Sequence, residues 1–209
     1  MIVKTIQVGD FIKTNTYFYI DEQSKHGFLI DPGANPELLL NIIKQNNWII
    51  EKILITHGHF DHIGAVQEIS NCLQIPYVAH RNAPIYFSNA NYNLSAVFTN
   101  PITLDKAQYV DEAEYIHLEA NPNIKLQVLH TPGHTQDAVV YYDKHNCLAF
   151  VGDTIFKRSI GRTDIPGGNT NQLYQSIREK IFSLPDETTL YSGHSEPTSV
   201  GSEKHASFY

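Results

Sequence analysis

Short apolar runs bounded by Gly, Pro, Asn and Asp recur along this chain, and runs of this kind are typical of β-strands. Between several of them, apolar residues spaced three and four apart predict helices. Strands alternate with helices in the first half, which is typical of an α/β protein. The strands are expected at about 2–8, 16–21, 27–30, 52–56, 75–80, 113–118, 124–130, 138–142, 147–151 and 188–192.

Three helices have recognisable starts. The first begins at Pro36, because proline suits the first helical position. The second begins at Asp61, which we expect to cap it, and the third covers about 171–182 after a cap at Asn169 or Thr170. The polar, aromatic segment 81–112 has no clear period. Two interpretations of it stay open, a long loop over a site and a helical hairpin.

Composition limits the classes of protein to consider. Hydrophobic residues make up 42% of the 209 residues and charged residues 18%, which is typical of a soluble globular protein, here expected to be one domain over 1–209. The net charge of −7 and the lack of a basic run argue against nucleic-acid binding. Without a signal-like or membrane-spanning stretch, we expect a cytoplasmic protein with no membrane partner and with Cys72 and Cys147 as buried, reduced thiols.

A cluster of histidines follows the apolar run 53–55. Three imidazoles and one carboxylate lie within the stretch Thr56–His62. A solvated polar turn is the simple alternative, but buried imidazoles need partners, and a metal ion supplies one. The position at the end of a predicted strand therefore favours metal binding.

Further candidate ligands occupy equivalent places. His134, Asp153 and His194 each stand just beyond a predicted strand, where loops of α/β sheets converge on a site. One tetrahedral zinc ion needs only three protein ligands and a water. Seven candidate ligands therefore fit two metals that share one bridging carboxylate.

These motifs, in this order, resemble the metallo-β-lactamase superfamily: Thr-His-Gly-His-Phe-Asp-His, Thr-Pro-Gly-His-Thr, Gly-Asp and Gly-His. The stretches Gly152–Phe156, Ser159–Asp164 and Gly193–Thr198 are similar to the glyoxalase II-like (hydroxyacylglutathione hydrolase-like) branch. The resemblance spans the chain and implies a four-layer αββα sandwich with a dinuclear site along one edge.

The resemblance also implies roles for the ligands. Two divalent metal ions are expected, most simply zinc, although iron and manganese suit the same donors. Asp61 would additionally orient a bridging hydroxide or relay a proton. The first ion would be held by His57, His59 and His134, the second by Asp61, His62 and His194, with Asp153 between them.

The implied reaction is hydrolysis of a small-molecule thioester such as S-lactoylglutathione by the bridging hydroxide. Lys157, Arg158 and Arg162 follow the bridging aspartate and are candidates to bind a substrate carboxylate. An equally good interpretation pairs Arg162 with Asp164 to brace the loop. His80 and Glu203 are expected to be structural.

Several alternatives stay open. Glyoxalase II enzymes carry a C-terminal helical domain that binds glutathione, and this chain is expected to lack one, which leaves the thiol part of the substrate open. A persulfide dioxygenase shares much of the scaffold but uses a single iron, and other esters or lactones are possible substrates. Asp153 argues against a β-lactamase, and the complete ligand set argues against a non-catalytic metal-binding domain. No sequence feature indicates the oligomeric state.

Overall fold

The computed structural model describes residues 1–105 and 107–205, and two six-stranded sheets dominate it. The first sheet has the order β1-β2-β3-β4-β5-β6; its first three strands pair antiparallel and the rest parallel. Parallel pairing brings the carboxyl ends of β3, β4 and β5 to one edge. The strands are β1 Ile2–Val8, β2 Thr14–Ile20, β3 His26–Ile30, β4 Ile49–Leu54, β5 Tyr77–His80 and β6 Gln108–Val110.

The second sheet has the order β14-β13-β10-β9-β8-β7 and is antiparallel except between β10 and β13. A two-stranded hairpin, β11–β12, follows β10. These strands are β7 Tyr115–His117, β8 Lys125–His130, β9 Val139–Asp143, β10 Leu148–Gly152, β11 Ile155–Phe156, β12 Ser159–Ile160, β13 Thr189–Ser192 and β14 Thr198–Ser199.

The helices are short and lie outside the sheets. The third predicted helix has its cap at Asn169, whose side chain accepts a hydrogen bond from the backbone N–H of Gln172, and it ends in a π-helical turn, Ile177–Ile181. None of the helices in the described ranges is long and apolar enough to cross a bilayer. The α-helices are α1 Pro36–Asn46, α2 Phe60–Ile63, α3 Val66–Leu73, α4 Pro84–Ser88, α5 Ser95–Phe98, α6 Thr170–Ser176 and α7 Val200–Lys204.

Three hydrophobic clusters define the layers. Strand alternation sends Tyr17 and Tyr19 into a cluster between the sheets, while Phe18 packs with the helices outside the first sheet. The third cluster joins the second sheet to α6 through residues such as Leu173. The resulting layers are helix, sheet, sheet and helix, so the αββα sandwich is confirmed.

The predicted helix from Asp61 differs from the structure in two respects. It breaks between α2 and α3 at Gly64, where a Cβ atom would lie 2.3 Å from the carbonyl oxygen of Gly33. The N–H of Ala65 donates to the carbonyl of Pro32. Asp61 lies inside the first turn of α2, so it does not cap a helix.

The segment 81–112, for which two interpretations were open, contains the short helices α4 and α5 and the edge strand β6, and its other described residues have no regular structure. Both cysteines are free, but Cys72 is exposed and Cys147 half-buried, so neither is the buried thiol we expected.

Candidate metal centre

The strand ends of the two sheets bring all seven candidate ligands together. The loop after β4 carries four of them, and one each follows β8, β10 and β13. Their ligand atoms form three overlapping groups, and within each group the atoms lie within 4.8 Å of one another. The groups are His57, His59 and His134; His57, His62 and Asp153; and Asp61, His62 and His194.

The first set consists of three imidazole nitrogens. Nδ1 of His59 lies 3.0 Å from Nε2 of His57 and 3.0 Å from Nε2 of His134. Ligands about 2.1 Å from one tetrahedral ion would be separated by roughly 3.4 Å, which is close to these distances. The three nitrogens therefore have the spacing of ligands to a single ion.

The second set mixes imidazole and carboxylate. Nε2 of His194 lies 3.3 Å from Oδ2 of Asp61 and 3.1 Å from Oδ2 of Asp153. Nε2 of His62 lies 3.5 Å from Oδ2 of Asp61 and 3.4 Å from Oδ1 of Asp153. Asp153 also reaches the first set, because its Oδ2 is 3.6 Å from Nε2 of His134. It stands between the two sets, as a bridging ligand would.

The tautomers of the first set follow from contacts behind it. Thr56 donates its single hydroxyl hydrogen to Asp31, so Nδ1 of His57, 3.2 Å from that hydroxyl, must be the donor to it. Nδ1 of His134 donates to the carbonyl of Arg162 at 2.7 Å. In both neutral rings the lone pair is therefore on Nε2, and the two lone pairs converge on the same point.

The second set is arranged in the same way. Nδ1 of His62 donates to Oδ2 of Asp31 at 2.9 Å, and Nδ1 of His194 donates to the carbonyl of Lys13 at 2.8 Å. Each Nε2 then presents a lone pair to the carboxylates of Asp61 and Asp153, which carry no proton to donate. Either a proton or a metal ion has to occupy each of these nitrogens.

The pKa values show what the protein does without an ion. Burial alone would lower the pKa of both histidines, but neighbouring aspartates dominate: they raise that of His62 well above its usual value and that of His194 to about 10. Burial would likewise raise the pKa of Asp61, but the charges of His62 and His194 lower it to about 2. This half of the site therefore pairs two anions with two protonated imidazoles, and one divalent cation can replace those two protons.

The first set behaves oppositely. Burial, helped by the neighbouring imidazoles, lowers the pKa of His57 far below its usual value and that of His59 to about 3. Burial lowers the pKa of His134 too. Three neutral imidazoles, two of which direct their Nε2 lone pairs at Nδ1 of the third, are a ready set of metal ligands.

The residues therefore fit two divalent ions. Nε2 of His62 and Oδ1 of Asp153 are buried without a hydrogen-bond partner, a costly state that coordination would relieve. The space around them is closely shaped: a Cβ atom on Gly193 would lie 2.2 Å from Oδ1 of Asp153 and 2.7 Å from Cε1 of His62. Any larger residue at Gly193 would push these two ligands out of place. His/Asp clusters of this kind suggest that the protein binds divalent metal ions.

The sequence did not point to Asp31 as part of the site. This buried residue accepts hydrogen bonds from the backbone N–H and the hydroxyl of Thr56 and from His62, so it orients ligands in both sets. Its φ of 48° lies in the left-handed region, which aspartate and asparagine tolerate better than most residues. Like the ligands, it directly follows a strand, β3, and this was the signal that could have found it.

Replacing Asp31 with asparagine is expected to weaken metal binding roughly 10- to 100-fold, because the amide nitrogen cannot accept a hydrogen bond and the three donors are no longer all matched. Competition with a chelator of known affinity measures the loss. Asp143→Asn is the matched control, since Asp143 is a buried carboxylate that pairs with Tyr19 and Asn146 instead. Equal metal affinity in the two variants would contradict the role of Asp31.

The candidate substrate residues are placed differently from one another. Arg162 lines a cavity of about 290 Å³ together with the metal ligands, but its guanidinium makes two hydrogen bonds to Asp164, at 2.8 and 2.9 Å. Nζ of Lys157 pairs with Glu196 at 2.9 Å. The backbone N–H of Arg158 donates to Glu203. Of the three, only Arg162 lines the cavity, and its pairing with Asp164 favours the bracing interpretation.

Two residues expected to be structural are held by local contacts. The ring of His80 stacks on that of His130, with centroids 3.9 Å apart, and lies near Asp111. The buried Glu203 accepts hydrogen bonds from Thr198 and from the backbone of Arg158. Neither belongs to a ligand group in the described part of the chain.

Known proteins share this sequence and architecture. A family model for the metallo-beta-lactamase superfamily matches residues 9–194. A probable metallo-hydrolase, YqgX of Bacillus subtilis, is 36% identical over 92% of this chain and 90% of its own length. Hydroxyacylglutathione hydrolase GloC of Haemophilus influenzae is 29% identical over 99% of this chain and 96% of its own.

Solved structures agree with the fold. BLEG-1, described as a B3 metallo-beta-lactamase, superposes with a TM-score of 0.92 at 34% identity, with 99% of both chains covered. TTHA1623 in a di-iron-bound form gives 0.84 at 31% identity, with 98% of both chains covered. ETHE1 from Myxococcus xanthus gives 0.79 at 29% identity, covering 99% of this chain and 83% of its own.

Proposed function

This chain belongs to the metallo-beta-lactamase superfamily, and we propose that it is a dinuclear metal hydrolase that cleaves a small-molecule thioester. S-lactoylglutathione is the first candidate substrate, because the relative GloC is a hydroxyacylglutathione hydrolase. Zinc is the simplest pair of ions for these ligands, and iron is the alternative suggested by the di-iron form of TTHA1623.

One observation carries the proposal: two sets of ligand atoms meet at Asp153, and hydrogen bonds from behind orient four of their five imidazoles. A site for a single ion would need only the first set. A second ion accounts for the second set, which has its own partners in Lys13 and Asp31. This is why we favour two ions, and with them hydrolysis.

Thioester hydrolysis breaks the bond between the carbonyl carbon and sulfur; the oxygen of water ends on the acid and one of its protons on the thiol. Two bound divalent ions would supply water of lowered pKa and a Lewis acid for the carbonyl oxygen. Asp61 lines the cavity, and its Oδ2 accepts from the hydroxyl of Thr14 at 2.8 Å. We assign this ionised carboxylate a second role, orienting the attacking water.

The test combines metal analysis with three assays. Purified protein is expected to hold close to two metal ions per chain and to hydrolyse S-lactoylglutathione or a related thioester. A chromogenic β-lactam is assayed in parallel because of the similarity to BLEG-1, and oxygen uptake with glutathione persulfide is measured for the persulfide dioxygenase alternative. One iron per chain, oxygen uptake and no thioester cleavage would overturn the proposal.

A further inference from the structure

A second cavity, of about 480 Å³, adjoins the metal cavity. We call it the Phe11 cleft, after the residue at its mouth. Ile12, Phe60, Asp61 and Phe98 line both cavities, so the cleft opens directly beside a candidate metal ligand. Its volume lies within the range of roughly 300–1,000 Å³ that small-molecule sites have.

The lining of the cleft is apolar and acidic. Phe60 and Phe98 stack with ring centroids 5.3 Å apart, and Ile102 lies beside them. The charged side chains along it are all carboxylates, from Asp10, Asp61 and Glu68, and the described residues that line it include no lysine or arginine. An anionic group would meet only like charge there, whereas an uncharged apolar group would be well accommodated.

The loop that forms the mouth is tied to the metal centre. It joins β1 to β2 and carries Phe11, whose side chain is fully exposed, and Ile12. At its end the carbonyl of Lys13 accepts from His194, and Thr14 donates to Asp61. At its start the N–H of Gly9 donates to the side chain of Asn35. The apolar tip is therefore held between fixed ends, above the cleft.

We propose that the Phe11 cleft binds an uncharged alkyl or aryl group from the acyl or the thiol part of the substrate, and that the charged glutathione moiety does not occupy it. The inference rests on the proposed hydrolase function, since it assumes that the reacting bond lies in the metal cavity. Phe11 and Phe98 are then specificity-determining residues, because an apolar group in the cleft would bury their exposed rings.

Two substrate series test the inference in the metal-loaded protein. One series varies the acyl chain from acetyl to hexanoyl on N-acetylcysteamine, and the other varies the S-alkyl group on a fixed acetyl. We expect kcat/KM to rise about two- to fourfold per methylene in one of them, which identifies the group that enters the cleft. S-lactoylglutathione is expected to be poorer than the longest members of that series.

Paired variants locate the effect. Phe98→Ser and Phe11→Ser are expected to lower kcat/KM for the longest substrate roughly tenfold and to flatten the dependence on chain length. Val97→Ser is the matched control, since Val97 is an exposed neighbour of Phe98 on the same helix and does not line the cleft. The control is expected to keep the full dependence.

Binding separates failure of this inference from failure of the proposed function. Ketone analogues, in which a methylene replaces the sulfur, cannot be hydrolysed, and calorimetry with them is expected to show the same dependence on chain length. Hydrolysis whose kcat/KM does not depend on chain length, or depends on it equally in Phe98→Ser and Val97→Ser, would overturn the inference about the cleft and leave the proposed hydrolase function standing. Chain-length-dependent ketone binding without thioester hydrolysis would overturn the proposed function alone.

Discussion

Replacing His134 with alanine is expected to lower kcat/KM for thioester hydrolysis by at least about a thousandfold, because the several kcal/mol that a bound ion contributes are lost with it. The variant removes one of three converging nitrogens and leaves His57 and His59 to hold an ion alone. It also leaves Asp153 without the imidazole that connects it to the first set. Metal analysis is expected to fall from two ions per chain towards one.

His145→Ala is the matched control, because His145 is an exposed histidine outside the ligand groups of the described residues. It should keep two ions and full activity. Circular dichroism and thermal unfolding of both variants check that each is folded. A folded His134→Ala protein with near-normal activity would contradict the assignment of this residue as a ligand.

Much of the fold follows from apolar periodicity, and its failures have physical causes. Ten strands were expected from their runs, and each has a counterpart in the structure. The strands that the sequence did not predict are those of the hairpin β11–β12 and the edge strands β6 and β14. Each has two or three residues and is too short to show a period. The break at Gly64 depends on the turn around Gly33, which precedes α1 in the chain, so no local pattern can reveal it.

The candidate site also has features that the sequence could predict and features that it could not. The meeting of the seven candidate ligands at one place could be predicted, because histidine and aspartate at successive strand ends are a visible signal. The groups that orient them could not: Arg162 and Lys13 contribute backbone carbonyls, to which sequence gives no clue. The cationic side chains expected to bind substrate were a weaker inference, because a positive residue near a site is equally able to pair with a nearby carboxylate, as Arg162 does with Asp164.

Removing both metal ions is expected to destabilise the protein markedly, and increasingly so as the pH rises. An ion present at a thousand times its Kd contributes about 4 kcal/mol, or about 8–16 °C in Tm for a chain of this size. Without ions, His62 and His194 keep raised pKa values, so their contribution is complete below about pH 6.5 and is lost as the pH rises through those values. Bound ions take the place of these protons, so the loaded protein does not lose this contribution.

The three histidines of the first set act in the other direction. Their pKa values are lowered in the folded protein. Below about pH 6.5 the unfolded chain therefore binds protons that the folded metal-free protein does not bind, and the free energy of unfolding decreases as the pH is lowered. As far as these five histidines are concerned, the metal-free protein should therefore be most stable near pH 6.5. The first set lowers its stability below this pH, and the second set lowers it above this pH.

Calorimetric unfolding from about pH 6.5 to about pH 9, with and without a chelator, measures the difference in Tm between loaded and metal-free protein. We expect this difference in Tm to widen with rising pH for two reasons. In the loaded protein, protons compete less with the metal ions for the ligands, and in the metal-free protein, His62 and His194 progressively lose their stabilising protons. Chelator saturated with calcium is the control, and added zinc should restore the original Tm. A Tm that is insensitive to metal removal, or a difference that narrows as the pH rises, would show that these imidazoles do not exchange protons for ions.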